Sequence, residues 1–356
     1  MFRFKMLSTI FLLSSISIAS TAQTISTVAG GGTVQLANGY SATLASLNAP
    51  MAIAVDPTTG NIFFADNGSN GGAVVYKIAA GTISLVAGTG ARGYSGDGGL
   101  ATNATFGQFI GGLAIAPSGN IYISDTYNAV VRKITVSTGI ITAYAGGTAK
   151  NYGQNEPAIS SPVGLAVNSS TLYIADSHRI RKVSSSGLIT TAAGNGTTAF
   201  AGDGGAATSA SFTHPWALAL DSTSSALYIS DIGLNGANCR VRKVVLATGI
   251  ISTFAGDAYC GYLGDGGAAV SAELSLPKGL AVASNGDVYI ADSGNSVVRR
   301  VSAGTIYNFA GNGAEGFSGD GGTPTTAQLR TAHGIALSGS TYYIADTSNQ
   351  RIRKIQ

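Results

Sequence analysis

Four kinds of short apolar run recur along the chain, each bounded by Gly, Pro, Asn, Asp or Ser. The first opens near a proline and is built of small apolar residues, as in Pro50-Met51-Ala52-Ile53-Ala54-Val55 and Pro277-Lys278-Gly279-Leu280-Ala281-Val282. The second, Tyr-Ile-Ala-Asp and its variants, ends at Asp66, Asp125, Asp176, Asp231, Asp292 and Asp346. The third is Arg-Ile-Arg-Lys or similar, as at Arg179–Lys182, Arg240–Lys243 and Arg351–Lys354. The fourth, Thr-x-x-Ala-Gly or close to it, ends at Gly30, Gly88, Gly146, Gly194, Gly256 and Gly311. Alternation within the runs has period 2, and no long stretch of period 3.6 intervenes, so they are strands. A four-strand unit repeated every 51 to 61 residues predicts an all-β, six-bladed β-propeller with four antiparallel strands per blade.

The order of the runs also predicts how the ring closes. Ile25–Ala29 is a fourth strand with no partners before it, and Arg351–Ile355 is a third strand with no fourth after it. Pairing the two puts the N-terminal strand in the last blade and removes an open edge. The propeller then occupies 23–356 as one domain. The small first strand belongs near the axis. The basic third strand belongs further out, where long stems lie over apolar surface and their heads reach water.

Composition sharpens this picture. Charged residues are only 10% of the chain and Gly contributes 50 of 356 residues, while 45% is hydrophobic. That is a composition of strands and turns, neither disordered nor collagen-like. Arg3 and Lys5 precede an apolar run from Leu7 to Ala19, and Ser20-Thr21-Ala22 supplies small residues before Gln23. The pattern predicts a cleaved secretory signal over 1–22. Its apolar run is shorter than the roughly 20 residues of a membrane span. The expected location is secreted, periplasmic or extracellular, with no membrane span. In that compartment Cys239 and Cys260 are expected to form a disulfide. The net charge of +3 is too small to point to nucleic acid, and the basic residues are dispersed among the blades.

Few charges stand outside the repeat. Six acidic residues end the second strands, and Asp97, Asp203, Asp265 and Asp320 lie in Gly-Asp-Gly-Gly loops. The first set reads as turn caps that accept backbone N–H groups of the turn into the next strand, joined by Asn128, Asn295 and Asn349 three residues on. For the loop set the competing reading is calcium held by Asp97, Asp203, Asp265 and Asp320 with backbone carbonyls, but these loops lack the spacing of a dedicated calcium loop. No cofactor is assigned. The inter-blade segments are about 20 residues long, beyond the usual connection. A larger apolar residue in each, such as Leu274, is expected to dock at the blade boundary. Asn67, Asn103, Asn168 and Asn195 head Asn-x-Ser/Thr sequons.

Candidate chemistry lies where the chain departs from its own repeat. The residues after the proline position of each first strand are Met51, Gly111, Val163, Trp216, Lys278 and His333. They should ring one mouth of the central channel. Trp216, the single Trp, offers a stacking surface for a sugar or peptide. Lys278 and His333 offer charge and hydrogen bonds to an anion, and His214 precedes Pro215 nearby. The competing reading is that these side chains plug the mouth.

These residues resemble the NHL repeat family. The resemblance rests on Gly279-Leu280-Ala281-Val282, Asp287-Val288-Tyr289-Ile290-Ala291-Asp292, Asn295 and Arg299-Arg300-Val301, and spans Ile25 to Gln356. The Gly-Tyr/Phe-Ser-Gly-Asp-Gly-Gly loops are similar to those of exported bacterial members. The resemblance implies a six-bladed propeller but no single activity, since members include binding scaffolds, receptor modules and a peptide-amidating lyase. That lyase holds zinc with three His from separate blades. Of the three His here, only His333 occupies a ring position, with His214 displaced and His178 in a turn. Lactonase-like propellers hold a metal with Glu, Asn and Asp at the channel, and none of the six ring residues is acidic or an amide. No metal ligand or catalytic residue is therefore assigned. The reading is a non-catalytic, exported and monomeric propeller that binds a protein or glycan at its loop-bearing face. The alternatives are a lyase or hydrolase at the channel mouth, and a structural or adhesive envelope module.

Overall fold

The structure, a computed structural model, describes residues 22–34, 39–68, 71–147 and 151–356. The expected signal lies outside the described residues up to Thr21. Strand β1 (Ile25–Gly30) and the short β2 (Tyr40–Ser41) precede the first blade, formed by β3 (Pro50–Val55), β4 (Ile62–Asp66), β5 (Val74–Ala79) and β6 (Thr82–Ala87). Blade 2 holds β7 (Ile110–Ile115), β8 (Ile121–Asp125), β9 (Val130–Thr135) and β10 (Ile140–Gly146). Blade 3 holds β11 (Pro162–Val167), β12 (Leu172–Asp176), β13 (Arg179–Val183) and β14 (Ile189–Ala193). Blade 4 holds β15 (Pro215–Leu220), β16 (Ala226–Leu234), β17 (Ala237–Val245) and β18 (Ile250–Ala255). Blade 5 holds β19 (Pro277–Val282), β20 (Val288–Asp292), β21 (Val297–Ser302) and β22 (Thr305–Ala310). Blade 6 is β23 (Ala332–Ser338), β24 (Thr341–Asp346), β25 (Arg351–Ile355) and, returning from the other end of the chain, β1. The closure is as the run order predicts: β1 pairs antiparallel with β25, from Ile25 opposite Ile355 to Gly30 opposite Arg351.

Apolar residues on both faces of each blade form six clusters, one between each pair of neighbours. Leu274 is fully buried where blade 4 meets blade 5, as expected. Near the axis the innermost strands approach backbone to backbone. A Cβ on Gly112, Gly164, Gly279 or Gly334 would stand 2.1 to 2.5 Å from the carbonyl oxygen of Val163, Trp216, His333 or Met51, respectively. The glycines of the first runs thus record the closeness of the next blade. A second latch crosses the same boundary: Thr126 Oγ1 donates to Pro162 O at 2.7 Å, and Thr347 Oγ1 to Pro50 O at 2.6 Å, which joins the last blade to the first.

The long inter-blade segments run outward and cover sheet edges. Leu100, Ala206 and Ala268 bridge to Ile140, Ile250 and Thr305 on the outermost strands of blades 2, 4 and 5. In blade 1 the same service comes from β2 on β6. These contacts occupy backbone groups that would otherwise offer a free edge. The disulfide forms between Cys239 and Cys260, tying the β16–β17 hairpin to the segment leaving blade 4.

Two expectations need correction. Five of the third-strand arginines do not send their heads to water: Arg132, Arg181, Arg242, Arg299 and Arg353 are 0% exposed. Each guanidinium is turned inward, to the segment that enters its own blade. Arg132, Arg242, Arg299 and Arg353 pair with Asp97, Asp203, Asp265 and Asp320 at 2.6 to 2.8 Å, and each also donates to two backbone carbonyls. The loop carboxylates thus carry an arginine. Arg181 takes Glu156 instead, at 3.0 Å, a partner no repeated phrase revealed. Second, the carboxylates ending the second strands do cap backbone N–H groups, but of the segment entering the first strand of the same blade. Asp66 accepts from Asn48 and Ala49, Asp125 from Gly107, and Asp346 from Arg330. Asn128, Asn295 and Asn349, three residues on, donate to these carboxylates.

Candidate functional site

First strands begin where second strands end, so the residues after the proline position meet at the end of the channel to which the inter-blade segments return. Met51, Gly111, Trp216, Lys278 and His333 line a cavity of about 70 Å³ there. Val163 does not: it is buried, and blade 3 contributes Gly164 and Leu165 to the lining instead. Blades 4, 5 and 6 therefore place Trp216, Lys278 and His333 side by side.

These three form a connected group. Lys278 Nζ lies 3.1 Å from His333 Nε2 and 5.5 Å from the centre of the Trp216 ring. Burial and the Lys278 charge push the His333 imidazole down to about 3, so it is neutral at ordinary pH. An ammonium has only donors, so Nε2 accepts and the ring proton sits on Nδ1. Burial also lowers the Lys278 ammonium from its ordinary value. Among the described residues no carboxylate pairs with Lys278. Its charge is met by a neutral imidazole and an indole face, and desolvated cations of this kind are costly without an anion.

A row of rings extends from this well. The tilted rings of His214 and Phe109 lie 5.9 and 6.1 Å from that of Trp216, and Phe109 reaches Tyr127 at 6.0 Å. His214 lies 6.4 Å from His178, whose Nδ1 meets Thr213 O at 3.0 Å. Burial lowers the His214 imidazole, with the neighbouring His178 adding to the effect. His214 is thus beside the mouth without lining the cavity. Phe109 was missed by the sequence reading. Its signal is position: it precedes Ile110 as His214 precedes Pro215, so both project from the step before a first strand. Among the described residues no group of three or more His, Cys, Asp and Glu is gathered as a metal site.

Asn67, one of the sequon asparagines, is built into the frame. It is 7% exposed, accepts from Ile110 N at 2.9 Å and donates to Ile110 O at 3.3 Å, filling in blade 1 the latch position of Thr126. A glycan has no room on it in the folded chain.

The sequence comparisons agree with the geometry. Residues 274–300 match the NHL repeat model. Mouse teneurin-4 is 29% identical over 290 residues, which cover 69% of this chain and 10% of the teneurin. The match thus spans about a tenth of the length of that curated relative. Among solved structures, a protein of unknown function from Bacteroides thetaiotaomicron superposes with TM-score 0.67 at 19% identity, covering 94% of this chain and 76% of that one. An auxiliary nutrient binding protein from the same organism gives TM-score 0.66 at 15% identity over 94% of this chain and 76% of its own. At such identities the likeness is one of fold. Residues 274–300 carry the NHL repeat, and the six four-stranded blades of the chain form a β-propeller.

Proposed function

We propose that this chain is an exported binding propeller whose channel mouth takes a carboxylate-bearing sugar of a glycan. The observation that carries the reading is Lys278, a largely buried cation held against a neutral imidazole and an indole face with no anion beside it. A ligand carboxylate would supply that anion, and Trp216 with Phe109 and His214 would receive the adjoining ring. The cavity of about 70 Å³ is small against the roughly 300 Å³ and more of ordinary ligand pockets, so it would take one group of the ligand rather than the whole. The bulk of the ligand would therefore lie across the aromatic row, outside the well. Export is supported by the leader pattern at 1–22 and by the Cys239–Cys260 disulfide. Nutrient binding by one fold neighbour is in keeping with this reading.

The test is a binding screen of acidic oligosaccharides against their neutral counterparts. Preference for the acidic set, lost in Lys278→Met and weakened at least tenfold in Trp216→Ala, would support the reading. Equal binding of both sets, or binding untouched by either substitution, would overturn it. A second reading is favoured by one observation: an ammonium and an imidazole, both held low, share a hydrogen bond and form an acid–base pair at the mouth. A lyase or hydrolase would show turnover of the bound glycan, abolished by His333→Gln, whereas a binding module returns it unchanged.

A further inference from the structure

Blade 1 lacks the buried arginine that the other five blades share. By register, the position of Arg132 opposite Ile123 is held in blade 1 by Tyr76 opposite Phe64. Yet the receptor for a guanidinium is retained. Asp66 stands where Asp125, Asp176, Asp292 and Asp346 stand, and those four meet their arginines at 3.4 to 3.8 Å. Ser46 follows its 3₁₀ turn by the same two residues as Thr105, Glu273 and Gln328, whose carbonyls accept from Arg132, Arg299 and Arg353. Between Asp66 and Ser46 lies a cavity of about 560 Å³, lined also by Thr33, Asn48 and Tyr76. That volume is within the range of ordinary ligand pockets.

Asp66 is 2% exposed, and among the described residues it accepts only backbone N–H groups, from Asn48 and Ala49. No Lys or Arg occurs in the chain from Gly30 to Asn48 or from Asn67 to Gly72. Its charge is felt by Tyr76, whose hydroxyl is pushed up to about 12 by burial and by Asp66. A buried carboxylate without a counter-ion is costly, and in every other blade the chain itself supplies the cation. Thr89 and Gly90, on the cavity wall, are exposed, so the space is reachable from solvent.

We propose that the blade-1 cavity binds a guanidinium group supplied in trans, with Asp66 and the Ser46 carbonyl receiving it as their counterparts receive Arg132 and Arg299. The planar fork of a guanidinium suits a carboxylate and a carbonyl at once, as the five in-chain examples show. This site is separate from the channel mouth and does not depend on it.

The experiment is saturation-transfer NMR on the full exported chain with Nα-acetyl-L-argininamide, and with its neutral citrulline counterpart as control. The arginine derivative should give a saturable signal at least tenfold stronger than the citrulline one. Asp66→Asn should abolish it. Tyr76→Arg should also abolish it while raising the melting temperature, because the chain then fills its own receptor. Free L-arginine and the peptide Gly-Arg-Gly, titrated in parallel, distinguish the amino acid from an arginine on another chain. Equal signals from arginine and citrulline derivatives, or a signal surviving in Tyr76→Arg, would overturn the proposal. Should Asp66→Asn fail to fold, Tyr76→Arg decides alone.

Discussion

The five fully buried arginines hold the outer halves of blades 2 to 6. Each pairs with a loop carboxylate; Arg132, Arg181, Arg299 and Arg353 also approach a second-strand carboxylate, and all but Arg181 tie two loop carbonyls to the sheet. Removing one leaves two acids without a partner, one of them fully buried. Arg299→Met should therefore cost about 3–5 kcal/mol in chemical denaturation, most of it from Asp292. Arg299→Lys should recover little of this, since an ammonium cannot make the forked contact. A loss under about 1 kcal/mol in Arg299→Met would show that the staple is dispensable. The channel mouth has its own signature in pH. His333 titrates near 3 when folded and near 6.5 when unfolded, so between those values the unfolded chain binds more protons. Stability contributed by neutral His333 is complete above pH 6.5 and falls by about 1.4 kcal/mol per unit as pH drops toward 3. The difference in unfolding free energy between the parent chain and His333→Gln should shift with that slope between pH 6 and 4, and stay flat from pH 7 to 9. A constant difference throughout would mean that His333 is not held neutral by the fold.

At the scale of elements, β1 and the covering segments share one task, the removal of open edges. β1 contributes Ile25 and Ala29, both fully buried, and its loss would bare the length of β25. Deleting Gln23–Gly30 should lower the melting temperature by on the order of 10 °C, as a loss of several kcal/mol does in a chain of this size. An unchanged melting temperature would count against the shared last blade. The Cys239–Cys260 link closes a separation of 21 residues, and reduction or Cys260→Ser should cost about 3 kcal/mol. The strands, their number and the closure were legible because period-2 runs and a repeated Asp are local signals. The fate of the charges was not. Arg132 and Asp97 lie 35 residues apart, joined across a loop whose path no local pattern reveals. Glu156 was hidden for the same reason, since its loop lacks the Gly-Asp-Gly-Gly phrase that marks the others. The expectation that third-strand heads reach water fails for these five arginines because the loop entering each blade folds back over them.

At the scale of the molecule, the six blades are near copies, so the departures stand out. Trp216, Lys278 and His333 were visible in advance as breaks in the ring of first-strand residues, and the structure brings those three into contact. Blade 1 departs in its third strand, where Tyr76 stands in the arginine position and lines a cavity. Most charged side chains elsewhere serve the frame, which leaves Lys278 as the exception around which a function can be built. Trp216 is the only Trp in the sequence, so its fluorescence reports on the channel mouth alone. The direct measurement is a fluorescence titration of the folded chain with a uronate oligosaccharide and with its neutral hexose analogue. A saturable change with the uronate, absent with the neutral sugar and lost in Lys278→Met, is the predicted result. No change with the uronate, or the same change with both sugars, would contradict the account.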